Sequence, residues 1–318
     1  MRALAITDRE SKPSVQDVPA GTPGPGQVQV TVEAASINGI DAFAAAGYLW
    51  DAMPHTFPVV LGRDFAGTVG AVGAVGAVPV VGAGSDAWAV GDRVLGVVTA
   101  LELGSGAIAE SVTVDAQSLV AVPDAVSAVQ AAAVGLAGAT AAALVQAIDP
   151  TKEDVVLVSG STGGVGALAV QLVAATGARV LATARPGAGS DFVRALGADE
   201  VVDHTGDLTS AVRAAAPDGV DAVLHLAGDA TVLGALLRPG GRFASTLGAT
   251  AEQTGRDDIT VTPVMADSSA PTLRHLLDSV ADGTLSVPVH RTYPLAESAD
   301  AIADFGAPKL GKLVVTNP

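Results

Sequence analysis

The spacing of apolar and polar positions divides the chain into a β-rich beginning and a long stretch where strand and helix patterns alternate. Residues Gln27–Ala34 alternate with period two, which predicts a half-buried strand. They follow a turn-forming cluster, Gly21-Thr22-Pro23-Gly24-Pro25-Gly26. Further strands are predicted at 65–72, 93–98, 110–114 and 119–122, separated by turns such as Val90-Gly91-Asp92-Arg93. Short strands broken by turns predict a small barrel-like domain up to about residue 123. Within it, Gly70–Val78 is a triplet repeat of Gly, Ala and Val, read as an expanded hairpin connection.

From Pro123 onward the pattern becomes βα alternation. Strands are predicted at 154–159, 179–184, 200–203, 220–226, 241–247 and 259–264, with helices between them. Arg238-Pro239-Gly240-Gly241-Arg242 reads as a sharp turn into the fifth of these strands. The expected fold class is α/β, a doubly wound parallel sheet of the Rossmann type beside a smaller β domain. The final segment, Gly311–Thr316, is a strand again and is expected to return to the first domain.

One stretch in this alternation is chemically specific. Asp154–Ser159 is a buried-strand run, and Gly160-Ser161-Thr162-Gly163-Gly164-Val165-Gly166 makes a tight turn after it. A helix face at Val165, Leu168, Ala169 and Leu172 follows, and then a second strand from Arg179 to Ala184. This is a complete βαβ unit with its glycines at the first turn. Gly163 would let the backbone approach a pyrophosphate, and Gly166 would let the helix pack close to the strand. Free amides at the helix start and the positive end of its dipole favour a diphosphate. The first glycine of the usual G-x-G-x-x-G pattern is replaced by Ser161. The competing reading is a glycine-rich turn that binds nothing.

The end of the second strand indicates which dinucleotide. NAD sites place Asp or Glu there to hold the ribose 2′-hydroxyl. Here the chain reads Ala182-Thr183-Ala184-Arg185-Pro186, with no acid before Asp191. Arg185 is a planar cation where a 2′-phosphate would lie, so the expected cofactor is NADPH. The alternative is a solvated arginine at a strand end.

Composition narrows the field further. With 318 residues the chain has room for about two domains. It has no cysteine, which excludes disulfides, thiolate zinc sites and cysteine nucleophiles. A net charge of −16 disfavours nucleic acid and anionic membranes as partners. The N-terminus is charged too soon for a signal peptide, and Ala128–Ile148, interrupted by Gln130 and Gln146, is expected to be a packed helix. The expected location is the cytoplasm. The five histidines are scattered, and nothing in the pattern places one on a metal or a proton path.

Motifs in a fixed order carry a resemblance that runs nearly end to end. They include Ser36-Ile37-Asn38-Gly39-Ile40-Asp41 with Gly47-Tyr48, Leu61-Gly62-Arg63-Asp64-Phe65-Ala66-Gly67, and Val90-Gly91-Asp92-Arg93-Val94. Gly106-Ala107-Ile108-Ala109-Glu110, Gly135–Ala141, the cofactor turn, Arg194–Asp199, Leu237–Gly241 and Gly311-Lys312-Leu313-Val314 complete the series. On these the chain resembles the medium-chain dehydrogenase/reductases, in particular their zinc-free quinone oxidoreductase, or zeta-crystallin-like, branch. The resemblance implies a GroES-like substrate domain (1–123 and 287–318), a Rossmann domain (124–286), a cleft between them, and a homodimer paired edge to edge through Ile259–Thr262. It also implies cofactor contacts from Thr140, Gly228, Leu247 and Lys312 in addition to the turn and Arg185.

Where zinc-dependent relatives carry Cys, His and Cys, this chain carries Asn38, Arg63 and Leu136, which is no zinc ligand set. Without zinc, alcohol oxidation is difficult, whereas a quinone or α,β-unsaturated carbonyl accepts hydride once its oxygen is polarised. Candidate catalytic groups are Tyr48, Asn38, Asp41 and Arg63, with Tyr48 leading as a proton or hydrogen-bond donor. Structural roles compete for each of them. Asn38 and Asp41 could be turn formers, Tyr48 an apolar wall, and Arg63 the partner of Asp64 or another acid. Two other functions stay open. One is an enoyl-thioester reductase, which would want a basic entrance for a phosphopantetheine. The other is a non-enzymatic NADPH-binding protein.

Overall fold

The computed structural model, which describes residues 1–73 and 88–317, begins with a strand that no period-two pattern announces. In β1 (Arg2–Ile6) four successive residues, Ala3 to Ile6, are buried, so both faces are covered and nothing alternates. β1 pairs antiparallel with β2 (Ser14–Asp17). β3 (Gln27–Ser36) shows the expected alternation, with Val28, Val30 and Val32 inside, and runs two residues further than expected. α1 (Gly39–Ala45) follows, then the short β4 (Val59–Val60), which pairs with the other edge of β1. β5 (Asp64–Val72), β6 (Arg93–Val97), β7 (Ser111–Asp115) and β8 (Leu119–Ala121) build a larger antiparallel sheet on β3. Gly70–Val72 of the triplet repeat finish β5; positions 74–78 lie outside the described residues.

α2 (Ala128–Ile148), the segment expected to be a packed helix, is long and apolar enough, by length and composition, to cross a membrane. Its most apolar window is 61% buried inside the protein, and Ala131–Val134, Ala137, Ala139, Ala141 and Leu144 are inaccessible.

Strands and helices then alternate: β9 (Val155–Ser159), α3 (Gly164–Ala174), β10 (Arg179–Thr183), α4 (Ala188–Ala195), β11 (Glu200–Val202), α5 (Leu208–Ala215) and β12 (Val220–His225). α6 (Ala230–Gly234), β13 (Leu237–Ser245), α7 (Ala251–Thr254) and β14 (Thr260–Pro263) complete the series. All six strands pair parallel in the order β11-β10-β9-β12-β13-β14. The order reverses between β9 and β12, and in such sheets ligands bind outside the carboxyl ends of the strands at that point. The expected edge segment is the edge strand β14, with Pro263 at its end. The turn expected at Arg238–Arg242 is a break in register instead. Val220 pairs with Leu237 and Ala222 with Arg242, so β13 begins four residues early. The fold of this unit is tied to α2 by Arg242, whose guanidinium donates to the carbonyls of Ile148 (2.6 Å) and Asp149 (3.1 Å) and to Asp154 (2.7 Å).

α8 (Ala270–Ala281), β15 (Val289–Pro294), α9 (Ser298–Ala303) and β16 (Lys312–Thr316) close the chain. β16 lies antiparallel to β3 and parallel to β15, so the last strand does return to the first sheet. The chain divides into two compact units: Met1–Leu136, Ser268–Pro308 and Lys312–Pro318, and Ala137–Asp267 with Lys309–Gly311. These limits fall inside α2 and before α8, not at the expected 123/124 and 286/287. α8 packs on β8, which brings it into the first unit. The core of the first unit gathers around Phe65, Ile37, Ile108 and Tyr293, and that of the second around Leu157, Leu181, Val223 and Phe243.

Candidate active site

In the second unit, the glycine-rich turn lies between β9 and α3. Gly160 has φ +81°, and its amide donates to Thr183 Oγ1 (2.9 Å) at the end of β10. A Cβ on Gly166 would lie 2.2 Å from the Gly160 carbonyl oxygen, so only glycine permits this approach of helix to turn. A Cβ on Gly163 would make an ordinary contact, 3.4 Å from the Gly160 carbonyl oxygen, so packing alone does not require glycine there. Ser161, at the first glycine position, is buried, and its hydroxyl donates to the Thr183 carbonyl (2.6 Å). The hydroxyl thus binds the turn to β10. By helix geometry the amides of Gly164, Val165 and Gly166 have no acceptor further up α3 and are available to an anion. The Thr162 carbonyl accepts the Gly311 amide (2.8 Å).

The remaining cofactor candidates of this unit sit as follows. Arg185 is exposed just past β10, and its charge acts on the Asp203 carboxyl after β11. Gly228 (φ +94°) lies in the loop after β12, and Leu247, half exposed, in the loop after β13. Thr140 is half-buried on α2.

In the first unit, three of the expected catalytic residues fall in or beside one buried polar cluster, organised by a residue that sequence reasoning passed over. Asp64 is fully buried. Its Oδ1 accepts the Ser36 hydroxyl (2.8 Å) and the Asn38 amide group (3.1 Å), and its Oδ2 accepts the Leu136 amide (3.0 Å). Asn38 Oδ1 in turn accepts the Lys312 ammonium (2.7 Å), which also donates to the Ile37 carbonyl (2.9 Å). Asp41 caps α1: one oxygen accepts the Asn38 amide and the other the Gly62 amide, both at 2.8 Å. Burial pushes the Asp41 carboxyl up to about 6, against the pull of those two amides and Lys312. Arg63 does not pair with Asp64. Its Nη1 donates to the carbonyls of Val98 (3.1 Å) and Ala100 (2.6 Å), and burial holds its pKa below the ordinary value, with Asp41 opposing. Lys312, expected at the cofactor, is buried with its bonds turned to Asn38; its neighbour Gly311 is the residue that bonds the turn. In the sequence Asp64 stood in the Leu61–Gly67 motif and as a possible partner of Arg63, not as a candidate site residue.

Tyr48 stands apart from this cluster. α1 ends in a Schellman arrangement, with Gly47 at φ +81° donating to Ala44 and Tyr48 donating to the Phe43 carbonyl (both 3.0 Å). The Tyr48 and Phe43 rings are 6.3 Å apart, and the Tyr48 side chain is 74% exposed. Among the described residues its hydroxyl has no hydrogen-bond partner, so it is available to a ligand.

Comparison with known proteins agrees with these parts. A family model described as the alcohol dehydrogenase GroES-like domain matches residues 24–124, and one described as zinc-binding dehydrogenase matches 196–315. The chain is 31% identical over 315 residues to the chloroplast envelope quinone oxidoreductase homolog of Arabidopsis thaliana, covering 94% of this chain and 92% of that protein. It belongs to the medium-chain dehydrogenase/reductase superfamily and is quinone oxidoreductase-like within it. It is also 34% identical over 325 residues to a mycocerosic acid synthase-like polyketide synthase of Mycobacterium tuberculosis, a match that covers 93% of this chain but 14% of that protein. An NAD-dependent alcohol dehydrogenase superposes with a TM-score of 0.85 at 27% identity, and a mycobacterial protein complexed with NADPH with 0.83 at 28%; each match covers 99% of both chains. The chain thus spans nearly the whole of the quinone oxidoreductase homolog and a small part of the polyketide synthase. The zinc of metal-dependent members does not fit these residues. Leu136 offers no side-chain donor, Arg63 is a cation, and the Asn38 side chain is engaged on both its oxygen and its nitrogen. Among the described residues no group of three or more His, Cys, Asp or Glu could hold a metal ion.

The buried Asp41 makes stability pH-dependent with a definite sign. Its folded-state value of about 6 lies above the ordinary 3.8, so the folded protein holds this proton more tightly than the unfolded chain. The contribution is fully present below about pH 4 and is lost as pH rises through about 6, an effect of about 3 kcal/mol. Denaturant unfolding of wild type and Asp41→Asn from pH 4 to 7 measures it: the wild-type advantage should shrink across this window, and a constant difference would contradict it.

Proposed function

We propose that the chain is an NADPH-dependent reductase of quinones or α,β-unsaturated carbonyls that works without zinc. The observation that carries this reading is the chemistry of the three metal positions, Asn38, Arg63 and Leu136, combined with an intact dinucleotide turn. Activating an alcohol for oxidation calls for a Lewis acid, whereas an electrophilic acceptor does not. When bound, the cofactor supplies the hydride. The chain's own part is to hold the diphosphate at the α3 N-terminus, to hold the 2′-phosphate at Arg185, and to polarise the acceptor oxygen. Tyr48 is the leading group for that last task, since its hydroxyl is exposed and a neutral phenol donates a hydrogen bond at neutral pH.

A second reading, reduction of an enoyl thioester, is supported by the 34% identity to polyketide synthases. The net charge of −16 gives little support to a basic entrance for a phosphopantetheine. NADPH oxidation measured across quinones, enones, enals, simple ketones and enoyl thioesters, with chelator present, separates the two. Turnover of quinones or enones that chelator leaves unchanged is expected. Turnover confined to enoyl thioesters would favour the second reading, and activity that returns only with added zinc would overturn both.

The cofactor preference rests on Arg185. A charge-assisted contact to the 2′-phosphate contributes on the order of 1.5–3 kcal/mol, about ten- to a hundredfold in affinity. Arg185→Ala should weaken NADPH by that factor and leave NADH unchanged in a fluorescence titration. Equal affinities of the wild type for the two cofactors would refute the preference.

For Tyr48 the hydroxyl and the ring make different predictions. If the hydroxyl donates in the transition state, Tyr48→Phe should lose about ten- to a thousandfold in kcat while NADPH still binds. If the ring only stacks on a flat acceptor, Tyr48→Phe should match wild type and Tyr48→Ala should mainly raise KM.

A further inference from the structure

One buried imidazole in the second unit joins the two loops that carry Gly228 and Leu247. His225 is the last residue of β12, is 3% exposed, and pairs with Ser159 of β9 on one side and Ser245 of β13 on the other. It therefore stands at the carboxyl ends of the strands where the sheet order reverses. Its Nδ1 is 3.0 Å from Ser245 Oγ, and its Nε2 is 3.1 Å from the Gly228 carbonyl oxygen. Phe243 packs against the ring with centroids 5.2 Å apart.

The hydrogen-bond inventory fixes the protonation state of this ring. Ser245 Oγ accepts the amides of Leu247 (3.1 Å) and Ala249 (3.3 Å), which occupy both of its lone pairs. Its single hydrogen then goes to His225 Nδ1, which must be unprotonated. The Gly228 carbonyl can only accept, so Nε2 carries the hydrogen. The result is a neutral Nε2–H imidazole with both nitrogens satisfied. The same ring holds the loop after β12 at Gly228 and, through Ser245, the loop after β13 at Leu247 and Ala249.

We propose that His225 is a positioning residue for the dinucleotide: as a neutral Nε2–H imidazole it ties the Gly228 loop to the Ser245–Ala249 loop and fixes the backbone on which the cofactor lies. This rests on the reading of the unit as a nicotinamide-cofactor site. Replacing His225 by Leu removes both bonds and leaves the Gly228 carbonyl and the Ser245 hydroxyl unpaired, whereas Gln can still donate toward Gly228.

The test combines three readouts on the full chain. Nitrogen-15 NMR of the wild-type histidines at neutral pH should find the His225 ring neutral with hydrogen on Nε2; a hydrogen on Nδ1 or a charged ring would overturn the tie. Hydrogen exchange should find the amides of Leu247 and Ala249 protected in wild type and faster in His225→Leu and in Ser245→Ala. NADPH affinity, titrated by fluorescence, should fall about tenfold in His225→Leu and recover in part in His225→Gln. Unchanged exchange and unchanged affinity in both His225→Leu and Ser245→Ala would overturn the proposal. If wild type binds neither NADPH nor NADH, the cofactor reading fails, and the ring nitrogens and amide exchange still decide whether His225 joins the loops.

Discussion

The second unit depends on one close approach, that of the α3 backbone at Gly166 to the carbonyl of Gly160. A side chain at Gly166 would stand 2.2 Å from that oxygen and drive the helix off the strand. With the glycine in place, α3 begins shortly after the carboxyl end of β9, and by helix geometry its first amides have no acceptor within the helix. Ser161 and Thr183 then lock the turn to β10, the strand that precedes Arg185. The packing of α3 on β9 and the form of the turn thus follow from one steric condition.

The first unit solves a different problem, that of burying charge. Asp64, Asn38, Asp41 and Lys312 lie inside, where an unpaired polar group is costly. Each of them is bonded to a backbone amide, a carbonyl or another member of the cluster. Together they join β3, α1 and β16, and Asp64 reaches α2 through the Leu136 amide. The exposed Tyr48, set by the Schellman turn at Gly47, has a hydroxyl that this cluster does not use.

The relatives that share this superfamily differ in what they do. A quinone oxidoreductase homolog and polyketide synthases match almost the whole of this chain at similar identity, and the solved structures include both NAD and NADPH users. The proposed discrimination therefore rests on two side chains, Arg185 for the cofactor and Tyr48 for the acceptor. The two can be changed separately, since one follows a strand of the second unit and the other a helix of the first.

The sequence by itself determined the βα alternation, the six parallel strands, the glycine turn and the absence of a zinc ligand set, because each is written in local spacing or residue type. β1 escaped it because a strand buried on both faces has no period, and the β13 start escaped it because Pro239-Gly240-Gly241 reads as a turn whether it ends a strand or breaks its register. Only the tertiary structure decided what the polar residues do. Asn38, Asp41 and Arg63 had both catalytic and structural readings in the chain, and folding gave their atoms partners from residues as distant as Lys312. His225 looked like one of five scattered histidines, and β pairing set it between Ser245 and Gly228. Hydrogen-bond partners come from strands that meet through sheet topology, and that juxtaposition has no trace in local periodicity.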